Sequence, residues 1–503
     1  MKILKITLIS VLSFGMLTSC FEDQDDNAIS ASEISDFVWK GMNAYYLYKD
    51  FIDDLANDRF SSNEEYASYL SDFSGPSELF ESLIYQRSTV DRFSVLVTDY
   101  IALEQQLNGL TKNNGMEFGL VRFSGTDNLF GYVRYVLPNT DAESKGIQRG
   151  DLFYAVNGTQ LTQSNWRSLL GADTYSINMA TYNDNGTADP NDDSIEPSSQ
   201  SISLTKSAYT ENPIYISDVI TVEDHTIGYL MYNGFTGTNQ FDSELNSVFG
   251  EFRDAGVTDL VLDLRYNGGG SVATATWLAS MISSPSLTGQ TFFTEEYNSD
   301  IQTQILAEDP DFLINPFVDQ MIKRNSDNQI VFQQTINHVS LNKVYILTTG
   351  ATASASELVI NGLNPYIDVV QVGTKTVGKY QASTTVYDAP DFRRANANPN
   401  HYYALQPLIY KSANANGFTD FDTGLIPDIA IAENFGNLGV LGNIDEPYLA
   451  AAINDILNSG RLMYSEPNYT EIIGSNELEP FSNEMFTEKP LPTYFINRTL
   501  MNQ

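Results

Sequence analysis

Ser354 lies in the run GATASASE (Gly350 to Glu357), between a strand-like and a helix-like segment, and a lysine, Lys379, follows 25 residues further on. A serine hydroxyl is a poor nucleophile at neutral pH and needs a neighbouring base to take its proton. Histidine is scarce: His225, His338 and His401 are the only three, and none sits in a recognisable catalytic motif. A serine paired with a lysine needs no histidine. Spacing alone proves nothing in a serine-rich chain, and most lysines are merely solvated, so the surrounding elements must carry the assignment.

Upstream, KVYILTTG (Lys343 to Gly350) is a β-branched, apolar run closed by glycine, and ASASELVINGLN (Ala353 to Asn364) places Leu358, Val359 and Leu363 at helical intervals. Ser354 is expected to cap a helix N-terminus. Unpaired backbone N–H groups aim positive charge outward there, and the amide of Ala355 is placed to meet an oxyanion. Downstream, DVVQVG (Asp368 to Gly373) reads as a buried strand, followed by Lys379 in TVGK. Desolvation at such a site would lower a lysine from its usual ~10.4 toward the ~7 to 8 that suits a general base.

A second constellation strengthens the first. TDLVLDLRYNGGG (Thr258 to Gly270) is an apolar strand ending in three glycines, and SVATATWLASMI (Ser271 to Ile282) resumes as a helix. Glycines let a backbone approach a substrate closely, so an amide of Gly269 or Gly270 could face Ala355 as a second oxyanion donor. Asp263 and Arg265 are expected to brace the turn. The plainer readings are a tight strand-to-helix turn or a phosphate loop; a P-loop needs Lys-Ser/Thr after its last glycine, whereas Ser271 and Val272 follow here.

Together, DLRYNGGG, SASE and the Gly378-Lys379 pair, in that order, resemble the carboxyl-terminal processing, or tail-specific, serine proteases. The resemblance implies Ser354 as nucleophile, Lys379 as general base, Ala355 with Gly269 or Gly270 as oxyanion donors, and Glu357, one helical turn after the serine, as the group that orients the lysine. Pro365 stands where some members carry a further catalytic aspartate, and Gln381 lies nearer the lysine than the family's glutamine.

That family usually carries a peptide-reading PDZ module before its catalytic core. YVLPNTDAESKGIQRGDLFYAVNG (Tyr135 to Gly158) has the order of one: strand, short helix over Ala142 to Gly146, Gly150-Asp151, strand, and an Asn157-Gly158 turn. GMEFGLVRF (Gly115 to Phe123), with Phe118, Gly119 and Leu120 at its centre, would hold a substrate's terminal carboxylate and let the peptide add as a strand. An ordinary hairpin with a Gly-Asp turn is the simpler alternative. By resemblance the substrates are polypeptides recognised at apolar C-terminal tails.

Lys2 and Lys5 precede an apolar stretch from Ile6 to Met16 and then Leu17-Thr18-Ser19-Cys20. The stretch is well short of the ~20 residues that span a bilayer, and Leu-Thr-Ser-Cys resembles a bacterial lipobox. Cleavage before Cys20 would leave a lipidated cysteine, the only cysteine in 503 residues, so no intrachain disulfide is available. Glu22, Asp23, Asp25 and Asp26 follow as an acidic tether, which also resembles signals that send some Gram-negative lipoproteins to the outer face of the cell. The expected location is the bacterial cell envelope, as an outer-membrane lipoprotein on the periplasmic side or the cell surface. With 64 acidic against 27 basic residues, a net charge of −37 argues against nucleic acid and against direct adhesion to anionic lipid.

The expected organisation is a signal peptide (1–19), the tether (20–28), a helical N-terminal domain (29–107), a PDZ-like domain (108–207), a serine protease domain (208–460) and a loosely packed extension (461–503). The fold class is α/β: a helical N-terminal cap, a PDZ-like β-rich domain and, by resemblance, a crotonase/ClpP-like α/β protease core. Strands alternating with helices argue for a largely parallel, buried sheet. The stretch Tyr182 to Ser201, rich in Asp, Asn, Ser and Pro, reads as a solvated loop, because its carboxylates lack calcium-loop spacing. No metal-ligand cluster or cofactor motif is found. The competing function on this fold is a non-catalytic peptide-binding lipoprotein.

Overall fold

The computed structural model describes residues 31–123, 125–187, 193–325, 328–458, 470–474, 478 and 483–492. Cys20 and the leader and tether around it lie outside the described residues.

The helical N-terminal region begins with Ala31–Tyr45, whose buried face includes Phe37, Val38, Met42 and Tyr45. Helices Asn63–Ser71 and Pro76–Ser82 pack on it. The first of these is capped by Ser62, which accepts from the amide of Glu65. The aromatic residues Phe37, Trp39 and Tyr45 of Ala31–Tyr45, with Tyr46 just after it, are core, continuous with Leu230, Leu262 and Leu358 of the α/β domain. The N-terminal region is therefore part of the wall of the α/β domain rather than a detached module.

The β-rich domain has its own core, in which Phe118, Leu120, Val133, Phe153, Trp166 and Ile177 pack together. Met116–Arg122 pairs antiparallel with Leu129–Val136, and Leu152–Val156 joins Leu129–Val136 to Thr174–Asn183. The Asp/Asn-rich stretch departs from expectation. Tyr182 and Asn183 end one strand of a long hairpin, and Ser194 to Ser201 lie in its partner, Ser194–Thr205. Cross-strand pairing satisfies the backbone of those polar residues, and the middle of the stretch (188–192) is outside the described residues.

The sheet of the α/β domain runs in the order Ile214–Val222, His225–Tyr232, Asp259–Asp263, Lys343–Thr348, Asp368–Gly373 and Ile429–Ala430, parallel after the first pair. Parallel strands need crossovers, which bury both faces of the sheet. Alternate residues accordingly enter different cores: Leu260, Leu262, Val344 and Ile346 on one face, Val261, Tyr345 and Leu347 on the other. Asp259–Asp263 pairs with Lys343–Thr348, and that strand pairs with Asp368–Gly373. The segments leaving the carboxyl ends of these three neighbours carry the triple glycine, Ser354 and Lys379, so sheet order alone delivers them to one edge.

Beneath that edge lies a buried ion network. The fully buried Arg265 donates from Nε to Asp263 at 2.9 and 3.0 Å and, bidentate, to Glu446 at 2.6 and 2.9 Å. Tyr229 donates to Asp263 at 2.7 Å. This is the bracing role expected of Asp263 and Arg265, with Glu446 as a third member.

Candidate active site

Ser354 sits immediately before the helix Ala355–Leu363, at φ 61° and ψ −115°, a conformation that L-residues other than glycine rarely adopt. Several bonds hold it there. Ala353 donates its amide, and Ser356 its hydroxyl, to the carbonyl of Asn267 at 3.1 Å each. Thr352 donates to the carbonyl of Leu264 at 2.8 Å. The nucleophile turn is thus bolted on both sides to the glycine loop.

In that loop Gly269 and Gly270 have φ values of 113° and 135°. A Cβ on Gly269 would fall 2.5 Å from Ser354 Cβ and 3.0 Å from the Ala355 nitrogen, and one on Gly270 would fall 2.1 Å from the carbonyl oxygen of Phe235. Both positions require glycine by contact as well as by conformation. The amide of Gly269 donates to Asn267 Oδ1 at 2.9 Å, so of the two glycines expected to offer an oxyanion donor, Gly269 already has a partner.

Lys379 is fully buried, and its ammonium lies 4.6 Å from the centre of the Phe93 ring. Burial pushes its pKa below the ordinary lysine value, while Glu484, Asp91 and Glu357 push it back up. Its Nζ donates to Glu484 Oε2 at 2.9 Å and to the main-chain carbonyl of Asn483 at 2.9 Å. The same Asn483 carbonyl accepts from Ser354 Oγ at 2.6 Å. The hydroxyl and the amine therefore converge on one oxygen.

Glu357, expected to orient the lysine, makes its contacts with main chain and a hydroxyl. Oε2 accepts the amides of Ser354 and Lys379, each at 2.8 Å, and Oε1 accepts the Gly378 amide at 2.7 Å together with the Thr376 hydroxyl. It fixes backbone, and the carboxylate that meets the amine is Glu484. Burial pushes the Glu357 carboxyl up to about 7, against those four donors. Gln381 turns away and donates to Tyr48 at 2.9 Å. Pro365 lies in the turn after the nucleophile helix.

Phe118 and Leu120 direct their side chains into the β-rich core, so the strand offers its backbone edge rather than those side chains. That edge pairs antiparallel with Thr470–Gly474, Leu120 opposite Ile473 and Gly119 opposite Gly474. A cavity of about 190 Å³, lined among others by Glu117, Phe118, Glu211, Gly269, Glu484 and Phe486, lies between this domain and the glycine loop.

Sequence reasoning gave no role to Asn267, although it lies inside the DLRYNGGG run. It also gave no role to Thr376, three residues before Lys379 in the TVGK run, and missed Phe93 and Glu484, which stand far from the motifs in sequence and carry no local signal. The C-terminal extension is not loosely packed where it is described. Met485–Phe486 forms a strand between Gly270–Ser271 and Gln381–Ser383, and Met485 and Leu491 are buried.

The sequence profile of peptidase family S41 matches residues 226–431, and that of the S41 N-terminal domain matches residues 33–95. No curated protein matches the chain significantly. Among solved structures, one assigned to the S41 proteases from Bacteroides fragilis NCTC 9343 superposes with a TM-score of 0.59 at 22% identity, covering 84% of this chain and 97% of that one. A photosystem II D1 C-terminal processing protease aligns at 18% identity with a TM-score of 0.46, over 84% of this chain and 96% of its own. The chain belongs to peptidase family S41 and is a serine-type protease.

Proposed function

We propose that the protein is an endopeptidase of the C-terminal processing type, working through a Ser354–Lys379 dyad on polypeptides recognised at apolar C-terminal tails. The neutral amine of Lys379 takes the proton of Ser354 as Oγ attacks the scissile carbonyl carbon. The oxyanion is met by the Ala355 amide at the helix N-terminus, with the Gly270 amide as the opposite donor, since that of Gly269 is held by Asn267. The lysine then protonates the leaving amine, and a water deprotonated by the same lysine hydrolyses the acyl-enzyme. The observation that carries this reading is the single carbonyl oxygen, that of Asn483, within hydrogen-bond reach of both Ser354 Oγ and Lys379 Nζ. A peptide group already lies where the nucleophile and base meet.

The β-rich domain is read as a PDZ-like module that takes a substrate tail by strand addition to the edge at Phe118, Gly119 and Leu120. Cys20 is read as a lipidated N-terminus that tethers the enzyme in the bacterial envelope, at the outer membrane. The test is cleavage of an unfolded protein with an apolar C-terminus by the chain lacking residues 1–20, beside Ser354→Ala and Lys379→Ala. Loss of cleavage in both variants with folding and tail binding unchanged is the expected result. Tail binding without any wild-type cleavage would instead make the protein a peptide-binding scaffold.

A further inference from the structure

The strand Met485–Phe486 pairs in parallel with Gly270–Ser271 on one side and with Gln381–Ser383 on the other. It fills the slot between the glycine loop and the strand that follows Lys379, where a bound peptide backbone would have to run. The residues just before it engage the dyad directly. The Asn483 carbonyl takes a hydrogen bond from Ser354 Oγ at 2.6 Å and one from Lys379 Nζ at 2.9 Å. Glu484 Oε2 accepts from Lys379 at 2.9 Å and from Ser383 Oγ at 2.7 Å. Beyond the strand, Glu488 accepts from Ser271, Lys489 pairs with Glu295 at 3.1 Å, and Leu491 is buried. Upstream, Thr470–Gly474 occupies the edge of Met116–Arg122, and Leu478 packs against the core of the β-rich domain.

We propose that the C-terminal segment of this chain is a built-in inhibitor that holds the protease closed by lying in its own cleft as an uncleaved peptide. The inference rests on the Ser–Lys reading above. The pose is unproductive for two chemical reasons. The serine hydroxyl donates its proton to the oxygen of the Asn483 peptide, so Oγ is engaged by that oxygen rather than aimed at a carbonyl carbon. The Glu484 carboxylate against Nζ also favours the ammonium, which cannot accept a proton. The charged groups acting on Nζ are Glu484 in direct contact and Asp91 and Glu357 through their charge, all favouring the cation, together with the Phe93 ring. Glu484 is the one of the three carboxylates supplied by the removable segment. Displacing the segment frees the slot, the strand edge of the β-rich domain and the lysine together, so activity scales with the fraction of molecules in which it is out.

The experiment compares the whole chain with Glu484→Gln and Glu484→Lys. It follows the rate at which a fluorophosphonate probe labels Ser354, alongside casein cleavage at pH 7, with Ser354→Ala as the blank. Folding is checked by circular dichroism. The expected result is labelling and cleavage faster by about tenfold or more in both variants, with a synthetic peptide of residues 483–492 slowing Glu484→Gln again. If those variants do not fold, Phe486→Ala loosens the same strand without touching the dyad and is read the same way. Folded variants that label at or below the wild-type rate, while Ser354-dependent labelling persists, overturn the inhibitor and leave the protease intact. Folded protein that never labels or cleaves in any form overturns the Ser–Lys reading, and the inhibitor with it.

Discussion

Glu357 Oε2 accepts the backbone amides of Ser354 and Lys379 at the same distance, 2.8 Å, so one carboxylate oxygen spans the two residues assigned as nucleophile and base. The link acts through main chain. It sets where the two segments start, and leaves the side chains free to meet a substrate. A buried carboxylate with four donors around it is a stiff joint.

Glu357→Ala removes the acceptor for three buried amides and a hydroxyl, each worth about 1–3 kcal/mol when orphaned. Urea denaturation is expected to show a loss of at least ~3 kcal/mol. Glu357→Gln keeps the shape but turns an NH₂ toward donors. It should retain the fold and lose about a hundredfold or more in kcat with little change in KM, because a misplaced dyad costs chemistry rather than binding.

The positive φ of Ser354 predicts a split between two inactive variants. Glycine tolerates φ 61°, ψ −115° and alanine does not. Ser354→Gly should therefore be more stable than Ser354→Ala by about 1–3 kcal/mol, and both should fail to hydrolyse any peptide. Matched thermal melts and activity assays check this.

Gly269→Ala places a methyl group 2.5 Å from Ser354 Cβ and 3.0 Å from the Ala355 nitrogen. The helix N-terminus must shift to make room. A fall in kcat of about a hundredfold or more is expected, with a loss of stability of about 1–3 kcal/mol because φ 113° strains an alanine and the atoms it meets are buried.

Lys379 must be neutral to act as base. Burial lowers its pKa below 10.5, so kcat/KM should climb with pH along a limb whose midpoint falls below that value. Glu484, Asp91 and Glu357 each favour the ammonium, so the midpoint in Glu484→Gln should move to lower pH. A pH–rate profile of the two proteins gives the direction; a limb that moves upward would contradict the contact.

Glu446→Ala strips Arg265 of its bidentate partner in a site without solvent. About 3–5 kcal/mol of stability should be lost. Denaturant titration should show a lower midpoint with an unchanged slope.

Local chemistry made the nucleophile turn, the glycine loop and the strands beside them legible in the chain. Apolar β-branched runs that end at glycine have few conformations open to them, and Gly269 and Gly270 stand where no side chain fits. Periodicity likewise foretold Ala355–Leu363 as a helix and Ser354 as the residue just before it. What a linear chain cannot encode locally is who meets whom across long separations. Phe93 over Lys379, Glu446 on Arg265 and Glu484 on Lys379 are contacts between segments far apart in sequence, made only once the parallel sheet has set three loops side by side. The way Glu357 reaches Lys379 was hidden for the same reason: its spacing from Ser354 is local, whereas its choice of a backbone amide over an amine depends on where the chain from Asp368–Gly373 returns. The polar C-terminal stretch looked loosely packed because nothing in its composition demands burial. Its place between Gly270–Ser271 and Gln381–Ser383 is decided by two open strand edges, and unsatisfied backbone groups draw in whatever strand the tertiary structure brings near.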